Sequence, residues 1–202
     1  MNDIVLIGGG GHCRSCIDVI EQAGSYSVAG IVDLPEKLGH QVLGYEIFAT
    51  ENQLDELVRK GHHFLIAMGQ IKDPAPRKLL FKQINALGGV LPTIVSPLAH
   101  VSPHAQLGRG VIVMHHALVN AGAVVGDNSI VNSKALVEHD AVIGKHCHIA
   151  TGGVINGGVV VEDETFWGSG AVSREYIVIG KGSVIGCGVS VKKNMEPGSM
   201  VS

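Results

Sequence analysis

Two histidines and a run of glycines hold most of the chemistry this sequence could do. Glu138-His139-Asp140 sets an imidazole between two carboxylates. A carboxylate that accepts one ring N–H fixes the tautomer and raises the ring's basicity, leaving the other nitrogen to take a proton near neutral pH. His139 is therefore a candidate general base. His148 follows nine residues later and reads as its complement: His139 would deprotonate an attacking amine or hydroxyl, while His148 or a backbone N–H holds a thioester carbonyl as charge grows on it. A plainer reading stays open. Arg109, His115, Asp127, Lys145 and Asp163 occupy the equivalent place in the local pattern, so polarity there is ordinary.

The glycines Gly8 to Gly11 sit between an aliphatic strand expected over 3–7 and a helix expected over 13–22. Such a loop lets backbone N–H groups and a helix N-terminus approach phosphate, and an acid about 20 residues on can bind a ribose hydroxyl. Asp33, at the end of a second strand over 28–32, is 22 residues beyond Gly11. Cys13 replaces the third glycine of the dinucleotide fingerprint, so the loop suits a single nucleotide diphosphate better than a nicotinamide dinucleotide. A tight turn with no ligand is the simpler alternative. A third strand over 64–68 ends in Gly69-Gln70, and a helix over 76–87 is closed by Gly88-Gly89. This alternation predicts a parallel sheet with crossover helices over residues 1–90.

No metal is expected. Cys13 and Cys16 have redox or zinc spacing but no second pair, His115-His116 and His146-x-His148 fall out of register, and His62-His63 reads as solvated.

Residues 91–202 obey a six-residue period. Every sixth residue from Val95 to Val191 is apolar except Ser173, and a mostly small residue follows four places later. A period of six fits neither helix nor lone strand, but it fits a coil with three flat sides, 18 residues to the turn. Gly108, Gly126, Gly144, Gly168, Gly180 and Gly186, just after the inward aliphatic, are expected to supply the positive φ of tight corners. The preceding, outward residues (Ile112, Leu118, Val124, Ile130, Leu136, Val142 and onward) are apolar apart from His148. This ridge predicts burial between copies of the chain, a trimer by three-fold geometry, with His148 at or beside the boundary.

Composition excludes several function classes. Fifteen Lys and Arg against 18 Asp and Glu give a net charge of −3, which offers no field for a nucleic-acid backbone. No apolar run approaches a membrane span, no signal peptide is expected, and four scattered cysteines read as reduced thiols, so the expected setting is cytoplasmic.

Gly8-Gly9-Gly10-Gly11-His12, Val32-Asp33, Ala67-Met68-Gly69-Gln70, the segment from Pro92 to Pro97 and the segment from Val137 to Gly144 together resemble the sialic acid O-acetyltransferase NeuD and sugar N-acetyltransferase PglD family. The resemblance spans nearly the whole chain. It implies an α/β Rossmann-like N-terminal domain followed by a left-handed parallel β-helix, assembled as a homotrimer with acetyl-CoA between neighbouring β-helices. It also implies direct transfer, without an acyl-enzyme, to the amine of a nucleotide-linked amino-dideoxy sugar. By motif position His139 would be the base, Asp140 its partner with Glu138 beside it, and His148 a contact to the acetyl carbonyl. Asn132, Gly157, Gly168, Ser169, Gly186 and Cys187 would line the CoA groove, and Gly10, Gly11, His12, Asp33 and Gly69 the sugar-nucleotide site. Leu34 stands where the family often carries a second acid. O-acetylation of a sialic-acid-like sugar and a non-catalytic nucleotide-sugar-binding scaffold are the alternatives.

Overall fold

The computed structural model describes residues 2–202. The first elements are Asn2–Ile7 (β1), Gly11–Ala23 (α1), Tyr26–Val32 (β2), Gln41–Val42 (β3), Tyr45–Ala49 (β4), Leu54–Arg59 (α2), His63–Ile66 (β5) and Ala75–Ala86 (α3). They build one sheet in the order β3-β4-β2-β1-β5, parallel throughout except for β3 against β4. The inner strand β1, paired on both sides, has Ile4 to Ile7 all buried, as a parallel strand covered on both faces requires. Helix α1 buries Cys13, Cys16, Ile17, Val19 and Ile20, and Gly24 closes it in the left-handed conformation. The β3–β4 turn and α2 lie between the expected strands. The turn residues Leu43 and Gly44 both have positive φ, and leucine is an unusual first residue for such a hairpin, which hides it from sequence.

From Ile94–Val95 to Ser190–Val191 each hexad contributes a two-residue strand, and strands 18 residues apart pair in parallel register, Leu118 opposite Leu136 and Val124 opposite Val142. Three parallel sheets enclose a triangular interior of Val113, Val119, Val125, Val137, Ile149, Val161 and their neighbours. Two interior residues break the aliphatic pattern at no polar cost. Trp167 donates its indole N–H to the Ala171 carbonyl at 3.0 Å, and the Ser173 hydroxyl accepts the Asn156 N–H at 2.8 Å.

Two expectations are corrected. Positive φ falls two residues after the expected glycines, at His116, Asn128, Lys134, Asp140, His146, Gly152, Gly158, Glu164, Gly170 and Tyr176 among others. The glycines after the inward aliphatic instead answer to stacking: a Cβ on Gly126 would lie 2.7 Å from the Gly144 carbonyl carbon, and one on Gly168 would lie 2.5 Å from that of Gly186. The outward ridge is also covered differently. Ile94, Ile112 and Ile130 pack with Ile4, Leu6, Cys13 and Ile17 in one cluster, so the chain's own N-terminal unit buries one of the three sides. His148 lies on that side and is buried within the chain. Leu118, Leu136, Val154 and Val160 stay half-buried, and Val142 and Val178 exposed.

Candidate active site

His139 and Asp140 turn a corner of the prism, with Asp140 at φ 58°. Asp140 Oδ2 lies 3.0 Å from His139 Nδ1. A carboxylate there accepts the Nδ1 proton, which leaves the lone pair on Nε2, the tautomer a base needs. Glu138 does not touch the ring. Its Oε2 accepts the Asn120 amide at 2.7 Å and the His139 backbone N–H at 3.1 Å, bracing the corner from the coil before.

One coil on, Gly157 and Gly158 leave a notch above the imidazole. A Cβ on Gly157 would stand 2.6 Å from His139 Nε2, and one on Gly158 would stand 2.3 Å from the Tyr176 ring. Beyond Tyr176 the same corner opens on a cleft with Arg174, Lys192 and Lys193.

The expected nucleotide-site residues are brought together. Gly10, Gly11, His12, Asp33 and Gly69 line one cleft of about 290 Å³, joined by Lys37, Glu51, Met68 and Leu80, which sequence reasoning missed. The Asp33 carboxylate is fully engaged: it accepts the Gly9 N–H at 2.7 Å, the Leu34 N–H at 2.8 Å and Lys37 Nζ at 3.0 Å. Although burial pushes its pKa up, these hydrogen bonds outweigh that and hold it below the usual carboxylate range. Asp33 thus fixes the glycine loop and draws a cation to the cleft mouth. An i,i+4 spacing of Asp and Lys at a strand end was the available signal for Lys37.

His148 closes a buried seam between the two units. Its Nδ1 lies 2.6 Å from the Gln70 carbonyl oxygen, which can only accept, so the proton sits on Nδ1. Nε2 then accepts from the Asn132 amide at 3.1 Å, an orientation fixed by Asn132 Oδ1 accepting the Ser133 N–H. His148 has no proton left for a carbonyl. Burial is the main cause that lowers its pKa to about 4, and His12, whose ring centroid is 6.1 Å away, falls to about 3 for the same reason.

Asn132, Gly168 and Gly186 fall two turns and one turn apart on a different corner, with Ser169 and Cys187 next to the glycines, so a single chain does not place them beside His139. Cys187 is exposed. Burial pushes the Cys13 and Cys147 thiols up to about 12 and Cys16 higher still, so none is a thiolate near neutral pH. Ser96 Oγ, His115 and Asp18 form a relay at 2.6 and 2.8 Å, but Ser96 is buried and the three serve to tie α1 to the coil. No group of three metal-ligating side chains is found among the described residues, nor any helix long and apolar enough to cross a membrane.

Residues 3–84 match the model of the PglD N-terminal domain. Over 99% of the chain and 93% of the other, the structure superposes with a TM-score of 0.91 and 30% identity on a histidine variant of perosamine N-acetyltransferase from Caulobacter crescentus, solved with CoA and GDP-perosamine. The chain belongs to the PglD-like sugar acetyltransferases of the hexapeptide-repeat family. The acetyltransferase domain of PglB from Neisseria gonorrhoeae, in complex with acetyl coenzyme A, matches equally, with 30% identity, a TM-score of 0.91 and coverage of 100% and 96%. WeeI from Acinetobacter baumannii shares the fold at 18% identity, a TM-score of 0.69 and coverage of 100% and 96%. No curated protein sequence matches. An α/β domain followed by a parallel β-helix is thus the architecture in which this chain superposes on these acetyltransferases.

The Gly157 notch gives this acetyltransferase a sharp test. An added methyl in Gly157→Ala would displace the imidazole from Asp140, and if that ring takes part in the reaction, a misplacement of about 1 Å costs on the order of 10²-fold in rate. The expected result is that loss in turnover with the melting temperature nearly unchanged. Full activity in the variant would show that the ring does not work from this position.

Proposed function

We propose that the protein transfers acetyl from acetyl-CoA to the amine of a nucleotide-linked amino-dideoxy sugar, with His139 as general base. The observation that carries this is the His139–Asp140 pair, whose Nε2 lies beneath the Gly157 notch with no protein hydrogen bond among the described residues. His139 Nε2 takes the amine proton as the nitrogen attacks the thioester carbon. When the C–S bond breaks, the same nitrogen returns the proton to the leaving thiolate. No acyl-enzyme is needed.

Acetyl-CoA fits the features along this corner. Coils stack about 4.8 Å apart. Three coils separate His139 from Lys193, and the path between runs over Gly157-Gly158 and Tyr176 to Arg174, Lys192 and Lys193, three cations against the single carboxylate of Glu175, a balance that suits phosphates. The second groove wall must come from elsewhere. The corner of Asn132, Gly168, Ser169, Gly186 and Cys187 and the corner of His139 lie at opposite edges of one side of the prism, which at full extension is about 20 Å wide. Both can flank one ligand only when copies pack together, and the half-buried Leu118, Leu136 and Val154 between them supply an apolar contact. A homotrimer meets this need. His148 then acts through Asn132: it holds one amide N–H and leaves the second for the thioester carbonyl.

In the N-terminal cleft Gly10, Gly11, His12 and Gly69 would receive the nucleotide diphosphate, with Lys37 beside it and Asp33 holding the loop. Thiol release from acetyl-CoA in the presence of UDP- and GDP-linked amino-dideoxy sugars tests the proposal. Turnover that depends on the amine supports it. Turnover only with sialic-acid-like hydroxyl acceptors would replace N- by O-acetylation, and binding without turnover would leave a scaffold.

A further inference from the structure

Arg77 lies on α3 and is almost wholly buried, yet no carboxylate answers its charge. Its Nη1 donates to the carbonyls of Ile66, at 2.7 Å, and Met68. Its Nη2 donates to the Asn128 backbone oxygen at 3.1 Å and to Asn128 Oδ1 at 2.9 Å. Asn128 Nδ2 returns a bond to the Arg77 carbonyl at 3.2 Å and stands 2.9 Å from His146 Nδ1. Burial lowers the guanidinium pKa to about 10, which still leaves it ionised at neutral pH.

A buried, uncompensated cation is costly, and an apolar side chain of equal volume would pack the same space at less expense. A planar fork of donors is justified where several oxygens must be held in fixed relative positions. Here those oxygens belong to both units. Ile66 ends β5, residues 67–69 just beyond it form one wall of the nucleotide cleft, and Asn128 is a left-handed corner of the β-helix. The next residues continue the tie: Gln70 Nε2 donates to the His146 carbonyl at 3.0 Å, and the Gln70 carbonyl accepts His148 Nδ1–H.

We infer that Arg77 is a positioning residue for acetyl transfer: it locks the 66–70 wall of the nucleotide cleft to the coils that carry His146 and His148, and so sets where a bound nucleotide-sugar meets the acyl groove. The inference rests on the nucleotide-sugar reading above. Its direct reach is to one ligand, because Arg77 touches the nucleotide-cleft wall itself, meets Asn132 only through the 68–70 segment and His148, and does not reach the corner column above His139.

The test uses Arg77→Met, Arg77→Lys and Asn128→Gly, the last keeping the left-handed backbone while removing the side-chain bonds. Calorimetry with UDP, GDP and acetyl-CoA as probes is paired with hydrogen exchange at the amides of 67–70. The expected result is nucleoside-diphosphate binding at least tenfold weaker in Arg77→Met and Asn128→Gly, faster exchange at 67–70, acetyl-CoA affinity within twofold of the parent, and partial recovery in Arg77→Lys. Equal loss of both ligands, or undiminished nucleoside-diphosphate affinity with unchanged exchange, would overturn the inference. Should Arg77→Met fail to fold, Asn128→Gly decides. Should the parent bind neither UDP nor GDP, the nucleotide-sugar reading fails by itself, and exchange at 67–70 alone then supports or overturns the lock.

Discussion

His139→Ala should lower turnover by about 10²- to 10⁴-fold, the range that a positioned general base supplies, while leaving the affinity for acetyl-CoA within a few fold. The split follows from the geometry. The His139 side chain is 52% exposed and its one side-chain hydrogen bond runs to Asp140, so its removal takes little from the fold. The CoA path proposed above, over Gly157, Gly158 and Tyr176 toward Lys193, draws on other coils. Asp140→Asn should move in the same direction, because an amide N–H turned toward Nδ1 would favour the other tautomer and put the proton on Nε2. Thiol release under saturating acetyl-CoA reads both variants, and undiminished turnover in His139→Ala would remove His139 from the chemistry.

Acid should loosen the molecule well before its carboxylates titrate. His12 and His148 have folded pKa values of about 3 and about 4, both depressed mainly by burial, against 6.5 for a free histidine. Below pH 6.5 the unfolded chain binds protons that the folded chain refuses, so stability is full above that pH and falls as pH drops toward 4. At pH 5 each ring costs about 2 kcal/mol, and the pair about 4 kcal/mol, a large share of a typical folding free energy. Proximity is part of this depression, since His148, whose ring centroid is 6.1 Å away, is among the causes that lower His12. Urea unfolding at pH 7.5, 6 and 5 should show this slope, and His148→Gln should remove about one proton from it. A flat profile from pH 7.5 to 5 would mean that the two rings are not buried neutral.

The β-helix and the His139 corner were legible because a period of six leaves little freedom: once the inward residue is known, every corner and side follows. The conformation of the corners was not. Glycine's two uses, left-handed φ and absence of Cβ, look alike in sequence, and only stacking revealed that Gly126 and Gly168 serve the second. The glycine loop and Asp33 line one cleft, but the saturation of Asp33 depends on the Gly9 amide, which no spacing rule reports, and on Lys37, for which an i,i+4 spacing was the one sign. The seam was hidden for a further reason. Arg77 and Asn128 are 51 residues apart on elements with unrelated periods, and His148 looked outward in the hexad pattern because the domain that covers it is invisible to that pattern.

The 18-residue turn makes change in this protein quantised. Adding or removing a whole turn between His139 and Lys193 would stretch or shorten the path by one step and leave each side chain on its bearing. Adding or removing six residues would swing everything downstream through a third of a circle, and Arg174, Tyr176 and Lys193 would then look out from a wall that His139 does not share. The spacing of His139 and Lys193 along their shared corner can therefore change only in full revolutions.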